Sequence, residues 1–148
     1  GSGEAIAAAL MLGADGVQIG SRYVATPESS AHPLFKSKIL DAKEGDTHLA
    51  LKGLTPVRLL DNPFARHVKT AETRGDGLED LRELLGRGRA KKGMFEGDLE
   101  EGELEIGQVS AHLDELKPAG ALTNQLWEEA LQRLETLSQL QVLRRNLS

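Results

Sequence analysis

Residues 13–26 read GADGVQIGSRYVAT, and the fold turns on how this stretch is read. Val17-Gln18-Ile19 is too short for a helix, lies between Gly16 and Gly20 and carries two β-branched residues, which predicts a buried strand. Upstream, Glu4 to Leu12 is rich in Ala and Leu; it predicts a short helix capped by Ser2 or Gly3 and closed by a left-handed Gly13. Helix, glycine turn and buried strand together are α/β grammar. The exit is unusual, because Gly20-Ser21-Arg22 sets a hydroxyl and a cation where ordinary turn chemistry needs neither. Amides leaving a strand face outward and Gly20 has no Cβ to obstruct a ligand, so this corner suits an anion. Ser2 and Gly3 would add a second set of N–H groups. The plain alternative has Gly20 end a strand and Ser21 cap a helix; spacing alone accommodates both.

Working outward, TPESSAHPLFKSKILDAKEG predicts a helix capped by Ser29 or Ser30, with Pro33 in its first turn and an end near Gly45. Residues His48 to Leu51 and Val57 to Leu60 have strand-like character, interrupted by Pro56. Two helices follow, separated by Arg74-Gly75-Asp76-Gly77, the second with a stripe of Leu78, Leu81, Leu84 and Leu85. An acidic, glycine-punctuated loop then leads into a short helix from about Gln108 to Lys117, closed by Pro118. Asn124 is read as the cap of a last helix in which Leu126, Trp127, Ala130, Leu131, Leu134, Leu137 and Leu140 recur at helical spacing. Three regions result: 1–45, a strand–helix unit with the anion loop; 46–93, a helical excursion; and 94–148, a glycine-rich loop with helices that return to the core.

With 148 residues, 39% hydrophobic and 28% charged, the chain has enough length for one core. Its net charge of −5 disperses basic residues among acids, which argues against nucleic acid as a partner. The absence of cysteine removes disulfides, thiolate metal sites and cysteine nucleophiles, and makes a cytoplasmic location the default. No apolar run reaches the ~18 residues of a membrane span, so a soluble protein without a membrane partner is expected.

None of His32, His48, His67 and His112 stands four residues from another, which argues against a metal site. Nucleophile-elbow, zinc-protease and P-loop sequences are all missing. DLEEGELE, residues 98–105, lacks EF-hand spacing and reads as a solvated acidic loop. Gly107-Gln108 stands where loop becomes helix, a backbone-donor position with an amide beside it; it can be a plain helix cap or can meet a ligand ring edge.

Two long stretches, AAALMLGADGVQIGSRYVATPESSAHPLFKSKIL and GMFEGDLEEGELEIGQVSAHLDELKPA, resemble the FMN-dependent (β/α)8 family of nitronate monooxygenases and flavin-containing enoyl-acyl-carrier-protein reductases. The family shows Gln-x-Gly-Thr-Arg-Phe after its last barrel strand; here Gln18-Ile19-Gly20-Ser21-Arg22-Tyr23 keeps the hydroxyl and the aromatic ring. The resemblance implies that Gln18, Ile19, Gly20 and Ser21 hold the FMN phosphate, and that Gly107 and Gln108 approach the flavin. It implies an α/β fold: the C-terminal part of a TIM barrel with a mostly helical excursion, predominantly helical as it stands. GSG at the start looks like the family's own loop, so the other seven strands and the catalytic histidine are expected outside this chain. None of the four histidines lies in that histidine's motif, so no catalytic residue is assigned.

The expected function is that of an FMN-dependent oxidoreductase acting on a small molecule, a nitronate oxidised with O₂. An enoyl-thioester reductase using NAD(P)H is the alternative within the family. From another class, a non-catalytic helical module would use the last helix as a docking surface. The oligomeric state is left open.

Overall fold

The structure, a computed structural model, describes the backbone of residues 1–145 and the side chains of residues 1–139. Helix α1, Gly3–Met11, starts on Ser2, whose hydroxyl accepts from the Ala5 N–H at 3.3 Å. It closes on Gly13 at φ +95°, the left-handed turn that the sequence predicts. Residues 16–20 follow without a ladder partner among the described residues, and Val17 is 44% exposed. The predicted buried strand is thus neither paired nor buried: among the described residues no strand flanks it on either side.

A single turn, α2 (Ser21–Val24), leads to α3 (Pro33–Leu40). His32, rather than Ser29 or Ser30, caps α3, its Nδ1 accepting from the Leu34 N–H at 3.2 Å. Ser29 instead closes a local turn with the Ala31 N–H. The helix stops at Leu40, short of Gly45.

Region 46–93 opens with an antiparallel hairpin, β1 (Thr47–Ala50) with β2 (Val57–Leu60), registered by Thr47 opposite Leu60 and Ala50 opposite Val57. Residues 104–106 run along the other edge of β2, with Leu60 N donating to Leu104 O and Ile106 N to Arg58 O. Alternation sends Leu60 to one face of this small sheet and Leu59 to the other. Leu60 joins Phe35, Ile39, Leu104, Ile106 and Leu113, whereas Leu59 joins Leu51, Phe64, Ala65 and Val68. Each fully buried side chain of this size contributes about 1.5–3 kcal/mol.

Helices α4 (Pro63–Arg74) and α5 (Leu78–Leu85) separate at Gly75 and Gly77 as predicted, but α5 ends at Gly86. Of its stripe, Leu81 is buried and Leu78 is exposed. A π-helical turn, Lys91–Phe95, follows, and the helix predicted from Gln108 to Lys117 is only a 3₁₀ turn, Gln108–His112.

The last helix, α6 (Ala119–Arg145), begins five residues before Asn124, which is therefore internal and not its cap. Its N-terminus is held from afar: the Glu28 carboxylate accepts from the Ala119 N–H with both oxygens, at 3.0 and 3.1 Å. Leu122, Leu126 and Ala130 bury against Ile6 and Ala7 of α1. The approach is close: a Cβ on Gly3 would stand 2.8 Å from Ala130 N and from Leu126 O. Trp127 and Leu131 of the predicted stripe stay half exposed, and the Leu140 side chain lies outside the described residues. Among the described residues, no helix is long and apolar enough to cross a membrane.

Candidate functional site

Gly20, at φ −101° and ψ −73°, leads residues 16–19 into α2. Its carbonyl accepts from Tyr23 N at 2.9 Å and from Val24 N at 3.3 Å, which closes the turn. No described residue accepts from the N–H groups of Gly20, Ser21 or Arg22. Nothing lies within 4 Å of where a Gly20 Cβ would stand, so the main chain is open to approach at Gly20, while Ser21 and Arg22 are half-buried. Arg22 is partly exposed and forms no ion pair among the described residues.

Packing beneath the turn fixes its direction. Ile19 and Tyr23 lie against the α1–α6 cluster, the Tyr23 hydroxyl is 2.7 Å from Thr123 Oγ1, and Thr26 Oγ1 donates to Tyr23 O. The same side forms an apolar cavity of about 370 Å³ lined by Ile6, Val17, Ile19, Tyr23, Leu126 and Trp127. Gln18 is exposed.

Two predicted segments meet here across 86 residues: the Gly107 N–H donates to Ser21 Oγ at 2.9 Å. Two residues further on, a Cβ on Gly1 would stand 2.8 Å from Val109 Cγ2, so the start of the chain packs against the 3₁₀ turn. One expectation fails at this point. The Gly3 N–H is not free, because it donates to Glu129 Oε2 at 3.2 Å, and the Ser2 hydroxyl is occupied as a cap. The anion at the start of α1 is the protein's own carboxylate.

Gln108 is exposed and lines a separate cavity of about 400 Å³ with Lys43, Gly45, Thr47, Ala111 and His112. The histidines stay dispersed: His32 caps α3, His67 is exposed on α4, His112 ends the 3₁₀ turn, and His48 buries an Nε2 without a partner. Among the described residues, no cluster of His, Asp and Glu could hold a metal ion.

Two buried polar groups, Lys36 and Ser110, are not legible from local pattern. Lys36, 7% exposed, donates from Nζ to Ser29 O at 2.8 Å and Pro27 O at 3.3 Å, which braces the loop after α2. Its place beside Phe35 on a helix whose apolar face is buried was the only available signal. Ser110 is fully buried and its hydroxyl has no partner.

The chain is similar to known proteins over most of its length. The family described as NMO, nitronate monooxygenase, matches residues 1–129. A Bacillus subtilis protein named "Probable nitronate monooxygenase" is 59% identical over 44 residues, 30% of this chain and 13% of that protein. The structure of FabK from Thermotoga maritima superposes with a TM-score of 0.85 at 36% identity, over 94% of this chain and 44% of that one. Nitroalkane oxidase from Streptomyces ansochromogenes superposes with a TM-score of 0.71 at 31% identity, over 92% of this chain and 38% of that one. The chain therefore spans less than half the length of each of these relatives. A match over residues 1–129, supported by two solved structures above 30% identity, makes this chain a member of the nitronate monooxygenase family of oxidoreductases.

Proposed function

We propose that this chain is the C-terminal part of an FMN-dependent (β/α)8 oxidoreductase of the nitronate monooxygenase type, oxidising alkyl nitronates with O₂. One observation carries the cofactor reading: three successive N–H groups, at Gly20, Ser21 and Arg22, have no acceptor among the described residues, and the main chain at Gly20 is open to approach. Buried or half-buried amides seek partners, and a phosphate dianion supplies acceptors for several at once. The Arg22 guanidinium adds charge, and the Ser21 hydroxyl retains its own hydrogen to donate. These residues fit a phosphate-bearing group, and Gln18, Ile19, Gly20 and Ser21 are the residues that would hold it. Gly107 and Gln108 would approach the flavin, Gly107 on the side of the phosphate corner that its N–H bond to Ser21 defines. Bound FMN would supply the redox chemistry, while the protein supplies position and electrostatics. The segment 16–20 would be the last strand of the barrel, paired on both edges by strands of the complete protein.

The likeness to FabK supports a second reading within the same frame, an enoyl-thioester reductase using NAD(P)H. Anaerobic mixing separates the two. Full-length protein bleached by a nitronate and not by NAD(P)H supports the first reading, and the reverse result supports the second. Gly20→Val in the full-length protein should abolish flavin retention; unchanged flavin with lost partner binding would instead support the helical docking module.

A further inference from the structure

We propose that Gly107 is a positioning residue that aims the Ser21 hydroxyl at the FMN phosphate; the proposal rests on residues 20–22 being the phosphate corner. A serine hydroxyl has one hydrogen and two lone pairs, and it rotates to suit its neighbours. The Gly107 N–H, at 2.9 Å, occupies one lone pair and so restricts where the Ser21 hydrogen can point. No described residue accepts that hydrogen, and the neighbouring amides of Gly20, Ser21 and Arg22 have no acceptor among the described residues either. A hydroxyl that accepts an N–H on one side becomes a better donor on the other.

This bond is not a local helix cap. A capping serine accepts from an amide two or three residues ahead, whereas Ser21 accepts from one 86 residues away. Glycine leaves the hydroxyl in place, because a Cβ at position 107 would stand 2.7 Å from Ser21 Oγ and force the hydroxyl to turn. Any larger residue pushes the hydroxyl away or withdraws the N–H. Gly107 thus acts on the phosphate through Ser21, without touching it.

The test compares FMN with riboflavin, which lacks the phosphate, by titrating full-length apo-protein and following flavin fluorescence. Wild type is expected to prefer FMN. Ser21→Ala and Gly107→Ala are each expected to weaken FMN about tenfold or more while changing riboflavin by less than about twofold. Ser21→Thr keeps the oxygen and should retain the preference. The double variant should bind FMN no worse than Ser21→Ala alone, because the two residues form one unit. Multiplying losses in the double variant, or equal weakening of both flavins by Gly107→Ala, overturns the positioning role and leaves the phosphate corner standing. Equal wild-type affinity for FMN and riboflavin overturns the corner itself, and the role of Gly107 with it. Should Gly107→Ala fail to fold, the wild-type protein labelled with ¹⁵N-glycine provides a second measurement. The Gly107 amide resonance must move with FMN and stay in place with riboflavin; no movement with FMN overturns the proposal.

Discussion

Glu103 shows how little a residue's type says about its surroundings. In DLEEGELE it is one carboxylate among several, yet it is 8% exposed. Burial pushes its carboxyl above the usual glutamate range, and the Glu105 charge adds to this, while Arg89 opposes both. Asp98, five positions earlier, goes the other way: N–H groups of Glu101 and Glu100 and the Lys92 ammonium hold it below the usual aspartate range. Composition predicts a uniformly solvated loop, but the chain buries one end of it against Gly93 and organises a turn at the other. The signs follow from linkage. A carboxyl with a raised folded pKa binds protons better in the native state. Stability from Glu103 is therefore full below about pH 4.3, the ordinary glutamate value, and is lost as pH rises through the raised one. Asp98 contributes stability above the ordinary aspartate value and loses it as pH falls through its lowered one. Glu103→Gln should accordingly raise the melting temperature at neutral pH, and the gain should vanish below about pH 4.3. Thermal unfolding across that range checks it, and an equal gain at every pH would contradict it.

At the scale of elements, caps decide where helices start, and the informative caps here come from near and far. Asn62-Pro63 is a start signal that sequence reveals, and α4 begins there, with Asn62 Oδ1 accepting from Ala65 N at 2.8 Å. The other half of Asn62 is not legible: its Nδ2 donates to Leu99 O at 2.9 Å and Gly102 O at 2.8 Å, 37 and 40 residues away. One buried amide thus joins α4 to the acidic loop. Asn62→Ala loses the cap and strands two carbonyls, which should cost about 2–4 kcal/mol. Asn62→Asp keeps the cap but sets a carboxylate against two carbonyl oxygens, and should be less stable still. Denaturant midpoints rank the three proteins; an Asp variant as stable as wild type would show that the contacts to Leu99 and Gly102 carry nothing. The same logic explains the misplaced start of α6. Asn124 has the right chemistry for a cap and Pro118 reads as a stop, whereas the group that starts the helix is Glu28, 91 residues back. Local pattern shows which residues can cap, and tertiary structure selects among them.

Across the whole molecule, the segment 16–20 carries the deepest consequence. Val17 and Ile19 are legible as strand formers because β-branched residues between glycines have few other uses. Whether they pair is not legible from them, because ladder partners belong to other strands. Here residues 16–20 have no ladder partner among the described residues, Val17 is 44% exposed, and Met11 and Leu12 are exposed nearby in the chain at 64% and 91%. An unpaired edge next to exposed apolar side chains is costly and prone to pairing with other chains. A phosphate cradle needs its amides held in one geometry, and here the turn is anchored through Ile19 and Tyr23 while the residues that feed it have no ladder partner among the described residues. The 148 residues alone should therefore bind FMN poorly and lose it on dialysis, while the full-length protein stays yellow. Hydrogen exchange gives the structural half of this prediction. The amides of Val17, Gln18 and Ile19 should exchange quickly in the isolated chain and become protected in the full-length protein, where flanking strands would accept from them. Stoichiometric flavin on the isolated chain, or equal exchange at these three amides in both proteins, would mean that the corner at Gly20 is shaped by local structure alone and that the barrel is not what holds it.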